Sequence, residues 1–370
     1  MQGNALDVLR SMESESVQCV VTSPPYYGLR SYKTEPQLWD GDENCDHVWG
    51  EKLPFSKQDT RSAEKKREQG AAVGGSITFN DVTTTGNSGS FCQKCGSWRG
   101  ELGLEPDFRL YISHLIQIFH EAKRVLKSDG CCFVNLGDSY AGSNGNGYKQ
   151  TIANANQSNG LDINQDFRRM HKRDDGDVRP KSLMNIPGRF AIAMTDELQM
   201  IQRNELIWFK RACMPSSAKD RWTVDFEPVY FFTKNAKYKF NQQLEPIKQV
   251  SLDRVQYGWK SDHDSIGHID VEAMGSRFAN PDGRNARTLL DVPFEPQSNS
   301  HYASYPTKLA ERFILAGSDE GDVVLDIFNG TASTGVAALR NRRKYLGIEL
   351  QPEYIEISNQ RLKEVQVKLF

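Results

Sequence analysis

The stretch Val323-Val324-Leu325-Asp326-Ile327-Phe328-Asn329-Gly330-Thr331-Ala332-Ser333-Thr334-Gly335 decides the fold class of this chain. An apolar run ends at Asp326 and small residues follow it. A helix-like run then extends from Val336 to Arg340, and a second apolar run ends at Glu349. Strand, small-residue turn, helix and strand in this order predict a βαβ unit of the nucleotide-binding type, in which the terminal acid accepts hydrogen bonds from ribose hydroxyls.

The turn of this unit lacks the phosphate-binding patterns that often accompany such a unit. The dinucleotide fingerprint Gly-x-Gly-x-x-Gly is absent, and no Gly-Lys-Ser/Thr follows the strand. Neither a pyrophosphate cradle nor a phosphate-binding loop is therefore indicated. A sulfonium-bearing adenosine, which has no phosphate to hold, fits the pattern better.

A second motif, Ser23-Pro24-Pro25-Tyr26, follows directly on the apolar run 17–22. Two consecutive prolines fix φ and remove two N–H donors, so the carbonyls of the turn stay available as acceptors for a planar amine. Tyr26 can stack on the ring that carries this amine, a contact worth roughly 1–3 kcal/mol for a nucleobase. The four residues alone also fit an ordinary strand-to-loop turn with a packed tyrosine.

Together the two motifs resemble those of the DNA amino-methyltransferases that use S-adenosylmethionine. The catalytic motif of that family reads Asp/Asn/Ser-Pro-Pro-Tyr/Phe, and its cofactor motif reads Asp-Pro-Phe-x-Gly-Ser-Gly-Thr. The order found here, with the catalytic motif first, resembles the β-group of the family, which is circularly permuted. Ile327 replaces the usual proline, and Ala332 stands where glycine is common.

The resemblance implies an α/β fold, a Rossmann-like and mostly parallel sheet with helices on both faces. It implies a catalytic turn formed by Ser23, Pro24, Pro25 and Tyr26. It also implies a cofactor site formed by Asp326, Phe328, Gly330, Thr331, Ser333, Thr334, Glu349, Asn4, Pro306 and Thr307. Phe328 is expected to flank the adenine, and Glu349 to hold the ribose.

The implied chemistry is methyl transfer to the exocyclic amine of a base flipped out of double-stranded DNA. The lone pair of such an amine is delocalised into the ring, and we expect Ser23 Oγ and the Pro24 carbonyl to accept its hydrogens. In the family, serine at the first motif position is associated more with cytosine N4, and aspartate or asparagine more with adenine N6. Cytosine N4 is therefore predicted, with adenine N6 as the alternative.

Composition is consistent with an enzyme of this kind. At 370 residues the chain exceeds what one core normally supports, so additional units are expected. No run of eighteen apolar residues and no basic-then-apolar signal pattern is present, and a cytoplasmic protein without membrane contact is predicted. The net charge is −2, but cations cluster over 168–221 and predict a local positive surface for DNA. A cognate restriction endonuclease, an orphan enzyme and a homodimer all remain open.

Cysteine spacing indicates a metal site. Cys45 and His47 form one pair and Cys92 and Cys95 another, a set suited to tetrahedral structural zinc. A redox dithiol, a disulfide and unrelated thiols are the alternatives. The odd total of seven cysteines, in a chain without a signal pattern, favours metal binding and buried thiols.

Periodicity predicts helices over 107–127 and 186–200, strands over 131–136, 206–209 and 228–233, and a helix within 302–317. The predicted division of the chain is a first part of the catalytic core over 1–32, a zinc-binding insertion over 33–103, a second part of the core over 104–240 with a polar loop near 143–180, a target-recognition region over 241–295, and the cofactor-binding part over 296–370.

Two other classes of function explain part of the pattern. Methyltransferases of RNA or of protein glutamine also use a Pro-Pro-Tyr turn, but they usually begin it with asparagine and place it after the cofactor motif. A non-catalytic zinc-dependent DNA-binding protein would explain the cysteines but not the cofactor unit. Cofactor binding distinguishes this last class from an enzyme.

Overall fold

A computed structural model describes residues 1–28, 31–32, 34–42, 44–51, 53–55, 86–141, 178–179, 181–213, 215–216, 218–249, 283–293 and 305–369. The predicted polar loop near 143–180 lies outside the described residues except for 178–179. Most of the predicted recognition region over 241–295 also lies outside them, since 250–282 are not described.

A seven-stranded sheet forms the centre of the described structure, in the order β11-β7-β8-β6-β1-β12-β13. Its strands are β1 (Val17–Thr22), β6 (Leu126–Asn135), β7 (Ile201–Phe209), β8 (Phe226–Thr233), β11 (Leu289–Asp291), β12 (Val323–Asp326) and β13 (Lys344–Gly347). β8 is antiparallel to both of its neighbours and all other pairings are parallel. The expected mostly parallel sheet is confirmed.

Helices cover both faces of this sheet, because the strands alternate their side chains between two apolar clusters. On β6, Cys132 and Val134 face one cluster, while Cys131 and Phe133 face the other. The helices are α1 (Ala5–Ser11), α2 (Phe108–Val125), α3 (Ile186–Asp196), α4 (Thr307–Gly317), α5 (Ser333–Arg340) and α6 (Pro352–Leu369). α1, α2 and α3 supply the first cluster, and α4 and α5 supply the second.

Several boundaries differ from the predictions. The helix predicted over 107–127 ends at Val125, because Leu126 takes an extended conformation and begins β6 directly. Leu126 is 1% exposed, and a buried leucine fits the end of a helix and the start of a strand equally well. The helix predicted over 186–200 ends at Asp196, and β7 begins at Ile201 rather than at 206.

A smaller antiparallel sheet lies beside α2, in the order β2-β5-β4-β3. Its strands are β2 (Gln37–Trp39), β3 (Leu53–Phe55), β4 (Gly86–Phe91) and β5 (Trp98–Gly100). Trp39 of β2 and Trp98 of β5 are paired in this sheet and buried. A further pair, β9 (Leu244–Glu245) with β10 (Arg284–Asn285), and the edge strand β11 come from the range predicted for target recognition. Among the described helices, none is long and apolar enough to cross a membrane.

Candidate functional site

The two sequence motifs meet at the carboxyl ends of neighbouring strands. β1 pairs in parallel with β12, so the Ser-Pro-Pro-Tyr turn and the turn after Asp326 emerge at the same edge of the sheet. Thr22 Oγ1 donates a hydrogen bond of 2.7 Å to Asp326 Oδ1 and thereby joins the two strand ends. Residues about three hundred positions apart in the sequence thus form one site.

Asp326 is the buried centre of this edge, with 2% of its surface exposed. Its other oxygen, Oδ2, accepts hydrogen bonds from Thr334 Oγ1 at 2.7 Å and from the Tyr305 hydroxyl at 3.2 Å. The backbone N–H of Phe328 donates to Oδ1 at 3.1 Å. Burial raises the pKa of Asp326, and these hydrogen bonds oppose the rise. The carboxyl group therefore fixes the turn between β12 and α5.

A cavity of about 230 Å³, here called the first cavity, opens over this turn. Predicted site residues that line it are Ser23, Pro25, Asp326, Phe328, Gly330, Thr331, Ser333 and Glu349. Strands of the smaller sheet contribute Gln37 and Trp39 to its other side.

Four of the predicted cofactor residues lie behind the lining of the first cavity. Thr334 is fully buried against Asp326. Pro306 is the N-cap of α4, and Thr307 is the first, buried residue of that helix. Asn4 caps α1, accepting from the Leu6 N–H at 2.7 Å, while its Nδ2 donates to Gln37 Oε1 at 2.7 Å. These positions support the cavity wall in the structure.

Glu349 closes the turn from the side of β13. Its Oε2 accepts a hydrogen bond of 2.8 Å from the Gly330 N–H, and its Oε1 accepts from the N–H groups of Leu350 and Gln351. Burial raises the pKa of Glu349 while these N–H donors oppose the rise. The acid at the tip of the second strand thus contacts the cavity and holds the glycine turn.

The start of α5 explains the family preference for glycine in this turn. Ala332 has φ 62° and ψ 39°, a left-handed conformation that glycine adopts without steric cost. The next residue, Ser333, is 3% exposed and lines the first cavity. Among the described residues its hydroxyl has no hydrogen-bond partner. A buried, unpaired hydroxyl at a cavity wall indicates a ligand that completes it.

A second cavity of about 840 Å³ lies on the other side of the Ser-Pro-Pro-Tyr turn. Ser23, Pro24 and Tyr26 line it, and Ser23 and Tyr305 also line the first cavity. Other residues of its wall include Asn135, Asp138, Trp208, Lys210, Glu227 and Tyr230. Ser23 therefore lies between the two cavities.

Polar partners fix the hydroxyl of Tyr26 at the wall of the second cavity. Its hydroxyl lies 2.7 Å from Glu227 Oε2 and 2.9 Å from Asn135 Oδ1, and Ser23 Oγ lies 3.4 Å away. Burial, followed by the charge of Glu227, raises the pKa of Tyr26 well above its usual value, so the phenol stays protonated. Lys210 forms an ion pair with the other oxygen of Glu227. Pro25 is fixed separately, since its carbonyl accepts a 2.7 Å hydrogen bond from Tyr111.

Sequence reasoning missed Glu227, Lys210 and Tyr305. Glu227 and Lys210 stand on β8 and just after β7, two antiparallel strands whose pairing brings their ends to the Ser-Pro-Pro-Tyr turn. The apolar runs predicted the two strands, but no pattern in either run identified the charged residues as neighbours of Tyr26. Tyr305 precedes Pro306 by one position, and this closeness was the available signal.

The predicted metal ligands come together in two connections of the smaller sheet, β2–β3 and β4–β5. One ligand atom from each of Cys45, His47, Cys92 and Cys95 lies within 4.8 Å of all the others. The Cys45 and Cys92 sulfurs are 4.0 Å apart, and Cys95 Sγ is 3.4 Å from His47 Nδ1. A tetrahedral zinc with Zn–S bonds of about 2.3 Å separates its sulfurs by about 3.8 Å.

Local hydrogen bonds prepare one of these thiols to act as an anionic ligand. The side chain and backbone of Ser97 hydrogen-bond to Cys95 and lower the pKa of its thiol to about 5. Burial has the opposite effect on Cys45 and raises its thiol pKa to about 12, with the neighbouring cysteines adding to the rise. The three cysteines are free of disulfide bonds, so the cluster fits a closed metal site.

His114 of α2 connects the smaller sheet to the core. Its ring is fully buried, with Nδ1 2.9 Å from Glu105 Oε1 and Nε2 3.0 Å from Asp40 Oδ2. The ring stacks on Trp39 at 4.5 Å and on Trp98 at 5.5 Å between centroids. The sheet that carries the metal ligands is thereby fixed against the helix, and it presents Trp39 to the first cavity.

Comparison with known proteins identifies a family and a fold. A family described as DNA methylase, of the N6 and N4 type, matches residues 17–360. The Type II methyltransferase M.Cfr9I of Citrobacter freundii is 30% identical over 364 residues, which cover 98% of this chain and 86% of that protein. The Orphan methyltransferase M.BamHII of Bacillus amyloliquefaciens is 45% identical over 154 residues, which cover 39% of this chain and 56% of that protein.

A solved structure shares the fold over nearly the whole chain. PvuII DNA methyltransferase, described as cytosine-N4-specific, superposes with a TM-score of 0.52 and 17% sequence identity. The match covers 99% of this chain and 89% of that one. At this identity the likeness supports the arrangement of the sheet and helices.

Proposed function

The chain belongs to the DNA methylase family of the N6 and N4 type, whose methyl donor is S-adenosylmethionine, and we propose that it methylates cytosine N4 at a specific sequence of double-stranded DNA. One observation carries the proposal. Ser23 lines both cavities, so a group bound in the second cavity meets a donor bound in the first at this hydroxyl. Adenine N6 is the alternative target.

The first cavity fits the cofactor by its chemistry. Ser333 offers a buried hydroxyl that has no partner among the described residues. Thr331 and Ser333 line the cavity at the N-terminus of α5, where the helix dipole favours a carboxylate such as that of the methionine part. We assign cofactor contacts to Phe328, Gly330, Thr331, Ser333 and Glu349, and supporting positions to Asp326, Thr334, Asn4, Pro306 and Thr307. When bound, the cofactor supplies an electrophilic methyl group.

The second cavity fits a flipped base. Ser23 Oγ and the Pro24 carbonyl accept the two hydrogens of the target amine, which frees the nitrogen lone pair from conjugation with the ring. Tyr26 stacks on the base, and Glu227 holds the tyrosine hydroxyl so that the ring is in place before the base arrives. Alignment of the amine with the first cavity supplies most of the rate gain, and no covalent intermediate is required.

The motif order supports assignment to the circularly permuted β-group. The catalytic strand β1 precedes the cofactor strand β12 by most of the chain, yet the two strands are adjacent in the sheet. A chain order with the cofactor motif first would place the same two strands side by side. The permuted order accordingly changes the connections while leaving the site unchanged.

We further propose that Cys45, His47, Cys92 and Cys95 hold one structural zinc ion. The convergence of four ligand atoms within 4.8 Å supports this assignment. A closed set of three sulfurs and one nitrogen leaves no position for water or substrate, so the ion would stabilise the smaller sheet and take no part in methyl transfer. The division of the chain into core, insertion and recognition parts stays a prediction.

The cellular setting follows from the relatives' descriptions. One relative is described as a Type II methyltransferase and another as an orphan methyltransferase. We propose that this chain acts in the cytoplasm on double-stranded DNA, either beside a cognate restriction endonuclease or as an orphan enzyme. A homodimer is a further proposal. Modified-base sequencing of an expressing host gives the methylated sequence and tests the DNA assignment directly.

Two variants test the catalytic turn. Ser23→Ala should slow methyl transfer at least tenfold while S-adenosylmethionine binding is retained, because a donor–acceptor contact to the amine is lost. Tyr26→Ala should mainly raise KM for DNA, because stacking of the flipped base contributes roughly 1–3 kcal/mol. Wild-type methylation rates in both variants would exclude this turn as the catalytic site.

The target atom is tested separately. Methylated DNA is digested to nucleosides, and the products are identified by mass spectrometry. N4-methylcytosine is expected because the catalytic motif begins with serine. N6-methyladenosine as the sole modified product would overturn the cytosine assignment and would leave the fold and cofactor assignments intact.

A further inference from the structure

Exposed apolar side chains gather at the mouth of the second cavity. Leu183, Trp222, Val224 and Phe226 are all large and exposed, and all four line this cavity. Trp222 is the extreme case, with 93% of its surface exposed. Single exposed apolar residues are ordinary, but a contiguous group at the opening of a binding space indicates a surface that contacts a partner. We call these four residues the rim.

The segment that carries Trp222 is fixed at both of its sides. It lies in the connection 210–225 between β7 and β8, and the Lys210 N–H closes the base of this connection on the Asp225 carbonyl at 2.7 Å. Two residues before Trp222, Asp220 forms an ion pair with Lys181. The Arg221 guanidinium lies over the Tyr140 ring at 3.6 Å. The backbone at Trp222 is therefore positioned at the cavity mouth by the residues next to it.

Charge around the rim matches a nucleic acid. Lys219 and Arg221 are exposed on the same connection, and Lys210, which is paired with Glu227, lines the cavity itself. Cations beside an apolar side chain are the arrangement by which proteins contact phosphates and insert a wedge between base steps. The same connection thus brings phosphate-binding groups and a planar apolar ring to the entrance that a flipped base must pass.

We propose that Trp222 inserts into the DNA duplex and fills the gap left by the flipped base. The inference rests on the proposed function, because it requires that a base enter the second cavity. Flipping removes stacking from both neighbours of the target, and an indole in the gap replaces that stacking. Leu183, Val224 and Phe226 then cover the unpaired strand as it turns toward the Ser-Pro-Pro-Tyr turn.

The test uses the full-length protein and two duplexes that carry the sequence found by modified-base sequencing. In one duplex the target base is paired, and in the other it lies opposite an abasic site, where unpairing is already done. Trp222→Ala should lower kcat/KM about tenfold on the paired duplex and about twofold or less on the abasic one. Trp222→Phe should retain most of the activity, because a smaller ring still stacks. S-adenosylmethionine affinity and melting temperature should be unchanged, since the side chain is exposed.

Ile192→Ala is the matched control, because Ile192 is also exposed but does not line either cavity. Its kcat/KM should equal that of the wild type on both duplexes. Wild-type activity of Trp222→Ala on the paired duplex would overturn the proposal, and so would an equal loss on both duplexes, which indicates a general DNA contact. Failure of the wild type to methylate either duplex would refute the proposed function itself and is thereby distinguished.

Discussion

The first cavity is built from two walls of opposite construction. One wall stands at the ends of β12 and β13, where Asp326 and Glu349 are fixed by hydrogen bonds inside the central sheet. The other wall carries Gln37 and Trp39 on β2, a strand of three residues in a small sheet. A small sheet with strands this short depends for its stability on a hydrophobic face or on packing against a helix. The central sheet and its core therefore position one wall, and the other wall depends on contacts within and beside the small sheet.

Two groups of contacts hold the second wall in place. The Cys45, His47, Cys92 and Cys95 cluster joins the β2–β3 connection to the β4–β5 connection of the small sheet. His114 packs the Trp39–Trp98 pair of this sheet against α2. This difference between the two walls predicts that cofactor affinity responds to changes in both groups of contacts, even though neither group touches the Ser-Pro-Pro-Tyr turn.

The largest effect is expected from the double change Cys92→Ser with Cys95→Ser. Loss of a bound structural zinc removes a contribution on the order of 10 kcal/mol from the small sheet. The sheet should unfold locally, and S-adenosylmethionine should bind at least tenfold more weakly because Gln37 and Trp39 leave the cavity. Elemental analysis should find about one zinc per wild-type chain and none in the variant, and calorimetry gives the affinity.

The matched control for this change is Cys213→Ser. Cys213 is partly exposed and belongs neither to the cluster nor to the lining of either cavity. Its zinc content and cofactor affinity should equal those of the wild type. A wild-type chain without stoichiometric zinc would contradict the metal assignment. Unchanged cofactor affinity in the double variant would show that cofactor binding does not depend on the wall formed by the small sheet.

His114→Ala should have the next largest effect. The change leaves the buried Glu105 carboxylate without its partner, and breaking a buried pair in this way costs about 3–5 kcal/mol. Urea unfolding followed by tryptophan fluorescence measures the loss, since Trp39 and Trp98 flank the ring. A loss of unfolding free energy below about 1 kcal/mol would show that α2 does not stabilise the small sheet through His114.

The same ring predicts a pH dependence. Burial disfavours the charged imidazole, but Asp40 and Glu105 outweigh burial and raise the pKa of His114 above its ordinary value. A raised folded pKa gives stability that is fully present below the unfolded pKa of about 6.5 and is lost as pH rises through the folded pKa. The free energy of unfolding should therefore fall over this interval in the wild type. His114→Gln should flatten the fall, and an unchanged slope in that variant would assign it to another group.

The two walls also differ in how far the sequence predicts them. The runs 17–22 and 323–326 are mostly apolar, which is typical of buried parallel strands, and both are strands in the structure. β2 and β5 have three residues each, too few for an alternating pattern to appear. The four metal ligands were predicted from spacing, but His114 reads only as one residue on the buried face of a helix. Its two carboxylate partners come from separate loops and meet it only in the folded chain.

On the wall built by the central sheet, Thr22→Val should act on the whole protein. The change keeps the shape of the side chain but removes a hydrogen bond to the buried Asp326, at a cost of about 1–3 kcal/mol. Because β1 is central in the sheet, hydrogen exchange should rise across the core, whereas zinc removal should raise it first in the small sheet. Exchange confined to the small sheet in Thr22→Val would contradict the division into two walls.

The smallest effect is expected from Gln37→Ala, which changes the second wall without unfolding it. Gln37 lines the first cavity, and its Oε1 accepts a 2.7 Å hydrogen bond from Asn4, the cap of α1. Loss of this contact should weaken S-adenosylmethionine binding about fivefold, near the 1 kcal/mol of a single hydrogen bond, with the melting temperature almost unchanged. Calorimetric titration measures the change. Leu38→Ala is the control, since Leu38 is 48% exposed on the same strand and does not line the cavity. An equal loss in both variants would indicate general loosening of β2, and no loss in Gln37→Ala would show that this wall contributes to the cofactor site through Trp39 alone.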